Sequence, residues 1–248
     1  MAATNGVWSE KILHLLRRMN NFYSTGVQPA AGGRCWTLSR SGLVREQVGS
    51  CGRCPPESET GGLHYLPERM EGRGLFGVKR YGVHINGYTV GESGEVSMWL
   101  ARRSRTKQTY PGLLDNVAAG GLAAGVGIRH TLIKECQEEA CIPSAIAATA
   151  RPVSTVSYTY EDEEGVFPES QFVFDLQLPA DFRPRVGDGE VLEFHLLPIE
   201  KVKELLASDD FKPNSAMVVL DFLIRHAFIE PDSKAFYQEL VSGLHQTL

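Results

Sequence analysis

Residues 119–142 read Ala-Gly-Gly-Leu-Ala-Ala-Gly-Val-Gly-Ile-Arg-His-Thr-Leu-Ile-Lys-Glu-Cys-Gln-Glu-Glu-Ala-Cys-Ile, a glycine-rich loop running into a helical pattern. Leu132, Cys136 and Ala140 stand four apart and share one face, the face expected to pack on a core. Glu135, Glu138 and Glu139 are spaced i, i+3, i+4 and share another. Carboxylates that close repel one another, by some tenths of a kcal/mol per pair on an exposed helix. A hard cation resolves the conflict, because Mg2+ or Mn2+ prefers carboxylate oxygen and water. The alternative is a solvated acidic face on a surface helix.

Outward from this stretch, residues 102–112 are Arg-Arg-Ser-Arg-Thr-Lys-Gln-Thr-Tyr-Pro-Gly, with cations at Arg102, Arg103, Arg105 and Lys107 just ahead of the glycine loop. They are placed either to meet phosphate oxygens or to balance the acidic helix from a solvated loop. Further upstream, Val83, Ile85, Gly87 and Thr89 alternate with His84, Asn86, Tyr88 and Val90, the period-two signature of a strand. Gly91 to Gly94 form a turn, and Val96 to Arg102 return as its partner. Downstream, Val153 to Tyr160 and Gln171 to Leu178 read as strands, with Phe172, Phe174 and Leu176 expected inward. The acidic run Glu161 to Glu164 joins them as a solvated loop. Val191 to Leu197 reads as a further strand with Leu192, Phe194 and Leu196 inward, followed by helices over Ile199 to Ala207, Ser215 to His226 and Ser233 to Leu244.

The N-terminal quarter is less regular. Trp8 to Tyr23 reads as an amphipathic helix with Ile12, Leu13, Leu15, Leu16 and Met19 as its apolar stripe and Ser9 as N-cap. From Gly26 to Gly74 glycine, proline, serine and arginine dominate, and only Cys35 to Leu38 and Gly42 to Val44 look like strands. Cys51-Gly-Arg-Cys54 has the spacing of half a zinc site or of a redox pair. No second pair completes a site and no βαβ context supports a redox motif, so no zinc is expected.

Composition bounds the class. The 248 residues suffice for one large domain or for a domain with a smaller lobe. A hydrophobic content of 42% and a charged content of 22% are those of a globular protein. A net charge of -5 argues against a nucleic-acid partner, and no apolar run approaches a membrane span. Five cysteines with no signal-like apolar core fit a reducing, cytoplasmic setting. Arg17, Arg18 and the scarcity of acids before residue 45 point to a mitochondrial address as the alternative.

The loop and helix together resemble the Nudix box: Gly, five residues, Glu, seven residues, Arg-Glu, an aliphatic, any residue, Glu-Glu, any residue, Gly, an aliphatic. With Gly120 as the first glycine, Lys134, Glu135, Cys136, Glu138, Glu139, Cys141 and Ile142 fall on the later positions without a gap. Val126 stands for the first Glu, Lys134 for Arg and Cys141 for the last Gly. Both charged departures concern groups that brace loop against helix. The resemblance extends to the thiamine-pyrophosphokinase-related Nudix subfamily through Leu75 to Val78, Tyr81 to Tyr88, Lys107 to Gly112, Leu114 to Leu122, Ile133 to Glu139, Asp188 to Val191 and Asp221 to His226.

That resemblance implies an α/β (α+β) fold, a Nudix-type α/β/α sandwich with a mixed sheet, preceded by a short N-terminal lobe. It divides the chain into residues 1–74, a helix with a shortened accessory lobe; 75–230, the hydrolase domain; and 231–248, a C-terminal helix packed on it. It implies metal-dependent hydrolysis of an organic diphosphate to the monophosphate, with damaged thiamine diphosphate first and 8-oxo-guanine nucleoside diphosphates as the alternative. Glu135, Glu138 and Glu139 would hold Mg2+, or Mn2+ in its place, and Glu139 or Glu190 would act as base. Arg103, Lys107, Gly120 and Gly121 would receive the small-molecule diphosphate. A binding-only module remains the second class. The isopentenyl-diphosphate isomerases share the phrase Arg103-Ser-x-x-Lys107-x-x-x-Pro111-Gly-x-x-Asp115, but they need a cysteine soon after it, and Leu114 to Ala119 carries none.

Overall fold

The computed structural model describes residues 2–21, 35–38, 44–47, 77–162, 165–233 and 236–246. Leu75, Phe76, Cys51 and Cys54, singled out above, lie outside these. In chain order the elements are α1 (Ala2–Met19), β1 (Cys35–Leu38), β2 (Val44–Gln47), β3 (Arg80–Val90), β4 (Val96–Arg103), β5 (Leu114–Asp115), β6 (Ala118–Gly121) and α2 (Ile128–Ala140). They continue with α3 (Ser144–Ala147), β7 (Arg151–Asp162), β8 (Gly165–Gln177), β9 (Val191–Pro198), α4 (Ile199–Leu206), α5 (Pro213–Arg225) and α6 (Tyr237–Gly243).

A mixed sheet of seven strands runs β5-β4-β3-β8-β7, with β6 on β3 and β9 on β4. β3 and β8 run parallel, Val83 opposite Phe172, while the other pairings are antiparallel. Both faces of the sheet are covered. On one face Val83, Ile85, Phe174 and Leu176 pack against Leu132, Cys136 and Ala140 of α2, the helix face that the four-residue spacing picked out. On the other, Met98, Leu100, Val156, Tyr158 and Val173 meet α4, α5, α6 and α1. The result is helix, sheet, helix.

Helix α1 is part of this second core. Ile12, Leu13, Leu16 and Met19 are buried with Val219, Leu220 and Leu240, and Trp8 donates its indole N–H to Lys203 O at 2.7 Å. β1 and β2 form a separate antiparallel pair.

One strand departs from its expected alternation. Leu192 is 52% exposed, not inward. Arg102 of β4 faces Glu193 while Arg103 faces Val191, so Leu192 is the extra residue of a β-bulge and is turned out of the pleat.

Candidate active site

β3 and β6 pair through glycines: Gly82 faces Gly121, and Val83 faces Gly120. Beyond β6 lies α2. Ala119 turns its N–H to the carboxylate of Glu139, Oε2 at 2.9 Å. A methyl on Gly120 would sit 2.3 Å from Glu135 Cδ, so the glycine makes room for that side chain. Glycine strand and acidic helix therefore meet along a single line, as their adjacency in sequence requires.

That line borders a cavity of about 510 Å³. Its walls carry Glu135, Glu138, Glu139, Gly120, Gly121, Lys107, Arg103 and Glu190, so every residue expected at the site lines it. The three glutamates differ sharply in setting. Glu139 is 8% exposed, and burial, with Asp115, Glu135 and Glu190 adding to it against the Ala119 N–H, pushes its carboxyl up to about 8. Burial raises Glu135 as well, against the pull of Lys134. Glu138 is about half exposed. Lys134 Nζ lies 3.1 Å from Glu135 Oε1 and 3.0 Å from Glu138 Oε2, so the ammonium supplies their counter-charge.

Among the described residues no three such side chains are gathered as a metal centre. The donor set nevertheless suits a hard cation. It is all carboxylate oxygen, and it includes a buried Glu139 that no ion pair among the described residues neutralises. Glu135, Glu138 and Glu139 are the residues that would hold Mg2+ or Mn2+.

The cations fall into two groups. Arg103 was expected on phosphate, but the structure engages it internally. It is 8% exposed, bonds Asp115 Oδ2 through Nη1 at 2.8 Å, and donates to the Thr109 and Tyr110 carbonyls at 2.8 and 3.1 Å. Lys107 instead pairs with Glu190 at the rim, the side chains 26% and 46% exposed. An exposed pair of this kind is worth about 0–1 kcal/mol, so it opens at little cost.

Composition and spacing did not single out Lys212, His84, Arg80, Glu169 and Gln171, yet all line the cavity. Lys212 Nζ lies 3.0 Å from Asp115, which also accepts from Ser215 Oγ and the Asn116 N–H. Burial alone would raise Asp115, but Lys212, His84, Ser215 and Arg103 outweigh it and hold the carboxyl below its ordinary range. His84 is neutral: burial, with Lys212 next, lowers it to about 4. Its Nδ1 faces Asn116 Oδ1 at 2.8 Å. Asp115 and Lys212 are 97 residues apart in sequence, and no local pattern announces the pair.

A mixed sheet between helix layers, with an acidic helix set against a glycine strand at one cavity, defines a Nudix-type domain. The chain belongs to that family: the profile described as NUDIX domain matches residues 80–217. Nudix hydrolase 20, chloroplastic, of Arabidopsis thaliana is 45% identical over 169 residues, 66% of this chain and 45% of the relative. An uncharacterised protein of Saccharomyces cerevisiae is 40% identical over 188 residues, 71% of this chain and 55% of the relative. The chain thus spans about half the length of these curated relatives. Among solved structures, a C. elegans Ap4A hydrolase binary complex aligns with a TM-score of 0.44 and 14% identity, over 60% of this chain and 99% of that one. Among the described residues no helix is long and apolar enough to cross a membrane.

Proposed function

We propose that this chain hydrolyses an organic diphosphate to the monophosphate and phosphate in a metal-dependent reaction, with damaged thiamine diphosphate as its substrate. The observation that carries the reaction class is the placing of Glu135, Glu138 and Glu139 beside Gly120 and Gly121 in one cavity with Lys107. The substrate rests on the phrases around Tyr81 to Tyr88, Leu114 to Leu122 and Asp188 to Val191.

Bound Mg2+ would neutralise diphosphate charge and activate a water. The chain's own contributions are distinct from that. Gly120 seats Glu135 against the strand, and Gly120 and Gly121 present backbone to the diphosphate. Lys107 swings from Glu190 to the developing phosphate charge, a charge-assisted contact worth about 1.5–3 kcal/mol. Glu190, released from Lys107, or Glu139 at the cavity wall accepts the proton of the attacking water. Arg103 and Lys212 position Asp115, and Arg103 also ties down the 104–112 loop through the Thr109 and Tyr110 carbonyls. Cys136 takes no part, since burial pushes its thiol up to about 12.

The test is a hydrolysis screen with magnesium over oxythiamine diphosphate, thiamine diphosphate and 8-oxo-dGDP, read as phosphate release. Release from oxythiamine diphosphate that stops with chelator and in Glu139→Gln is the expected result. Preference for 8-oxo-dGDP would transfer the reading to damaged nucleotides. Binding without turnover would make the chain a binding module, in which Lys134 keeps Glu135 and Glu138 as a permanent ion cluster.

A further inference from the structure

On the cavity face of the sheet, Gly121 of β6, Gly82 of β3 and Gln171 of β8 stand in register across three neighbouring strands. Two interstrand steps of about 4.8 Å place Gln171 about 10 Å from the strand that borders the acidic helix, with only glycines between. That is the reach from a diphosphate to the organic group attached to it. The groove leads to a side chain held unusually firmly.

Gln171 is 5% exposed. Its Nε2 donates to Tyr158 Oη at 2.9 Å and to Glu169 Oε2 at 3.0 Å. Tyr158 in turn donates to the same Oε2 at 2.6 Å, and Arg80 Nη2 holds Oε1 at 2.6 Å. A carboxylate accepts only, so the amide nitrogen must face Glu169 and the orientation of the amide is determined. Its Oε1 therefore points the other way, over Gly82, where a methyl would lie 2.3 Å from it. None of the hydrogen bonds among the described residues reaches this oxygen. The surrounding scaffold is stiff: Arg80 lies over the Phe167 ring at 4.7 Å, and Phe167 stacks on Tyr160 at 4.9 Å.

We propose that Gln171 is the specificity-determining residue for the organic group, its Oε1 accepting a hydrogen bond from an N–H of a heteroaromatic ring on the diphosphate. Gly82 leaves the room that Oε1 itself occupies, while Glu169, Tyr158 and Arg80 are positioning residues. This rests on the diphosphate-hydrolase reading and adds to it the part of the cavity that reads the leaving monophosphate's ring. A site built to accept a substrate N–H discriminates against analogues lacking it, because the bound ligand shuts water away from the acceptor and leaves it unpaired.

Wild type, Gln171→Met and Gly82→Ala are assayed with magnesium on oxythiamine diphosphate, which carries a ring N–H, and on isopentenyl diphosphate, which has neither ring nor N–H. Wild type is expected to favour the first at least tenfold in kcat/KM. Gln171→Met, which keeps volume and removes the acceptor, is expected to cut that ratio at least tenfold, chiefly through KM. Gly82→Ala, whose methyl would lie 2.3 Å from Oε1 and so displaces the acceptor, is expected to do the same and decides the matter if Gln171→Met fails to fold. A ratio unchanged in a folded variant overturns the proposal. If wild type cleaves neither diphosphate, the hydrolase reading fails and the subsite is read by calorimetric titration with thiamine monophosphate, whose ring carries an amino group. Binding that weakens at least tenfold in Gln171→Met upholds the subsite. Equal binding, or none to wild type, overturns it.

Discussion

Arg103 and Lys107 are four residues apart in one basic run, and the fold gives them opposite tasks. Arg103 satisfies a buried carboxylate and two carbonyls, whereas Lys107 holds a rim glutamate. Without Arg103, Asp115 keeps Lys212, but the Thr109 and Tyr110 carbonyls and one carboxylate oxygen lose a charged donor, at a cost of about 1.5–3 kcal/mol. Arg103→Ala is therefore expected to lower the melting temperature steeply, and a small loss of stability would return Arg103 to the role of a phosphate ligand. Lys107→Ala is expected to leave stability within about 0.5 kcal/mol. Its effect should appear in kinetics, as a several-fold loss of kcat/KM. The sequence could not separate the two, because charge says nothing about burial. Arg103 becomes internal only when β5 brings Asp115 to it.

At the scale of the element, α2 illustrates what periodicity carries and what it leaves out. Its apolar and acidic faces were legible because spacings of three and four residues follow the helical period of about 3.6 and map onto sides of a helix. The end of the helix was not. Cys141, standing where the box has glycine, adopts φ 51° and ψ 32° and caps α2: its N–H reaches Gln137 O, and that of Ile142 reaches Cys136 O. A left-handed backbone costs a non-glycine residue about 1–2 kcal/mol. Cys141→Gly should thus raise stability by up to about 1 kcal/mol, less than the full strain because glycine also gains freedom in the unfolded chain. Denaturant unfolding checks this, and a less stable variant would mean that the thiol packs better than the strain costs. The remaining carbonyls of the last turn are taken by the loop before β9. Arg185 N–H reaches Ala140 O at 3.1 Å, Gly187 N–H reaches Glu139 O at 3.3 Å and Asp188 N–H reaches Glu138 O at 3.0 Å. This tie sets Glu190 beside the acidic helix. Gly187 permits it, since a methyl there would lie 1.9 Å from Glu138 O, a backbone atom with no rotamer to yield. Gly187→Ala should cost about 1–3 kcal/mol by overpacking and lower kcat/KM by moving Glu190, although residue 187 is not among those lining the cavity. Wild-type kinetics in that variant would separate the loop from the reaction.

Across the whole molecule, the two groups that burial perturbs most usefully oppose each other in pH. His84 titrates near 4 in the fold against 6.5 ordinarily, so the unfolded chain binds its proton first. Its stabilisation is complete above pH 6.5 and is lost as pH falls toward 4, an effect of up to about 3 kcal/mol at 1.36 kcal/mol per unit. Glu139 runs the other way. Its carboxyl titrates near 8 in the fold against 4.5 ordinarily, so its contribution is complete below pH 4.5 and is lost as pH rises through 8. Between pH 4.5 and 6.5 the two slopes cancel in part, and metal-free wild type should show a shallow profile there. Each substitution unmasks the other group. In chelator, Glu139→Gln should lose stability on acidification from 6.5 to 4, while His84→Asn, which keeps a donor for Asn116 Oδ1, should gain stability on acidification from 8 to 4.5. Magnesium should abolish the alkaline loss in wild type, because a cation takes over the charge that burial penalises, whereas Glu139→Gln should show no such loss with or without it. Chemical denaturation at pH steps from 4 to 8, with and without magnesium, decides it. Parallel profiles for wild type and both variants would mean that neither group is held in the protonation state its burial demands.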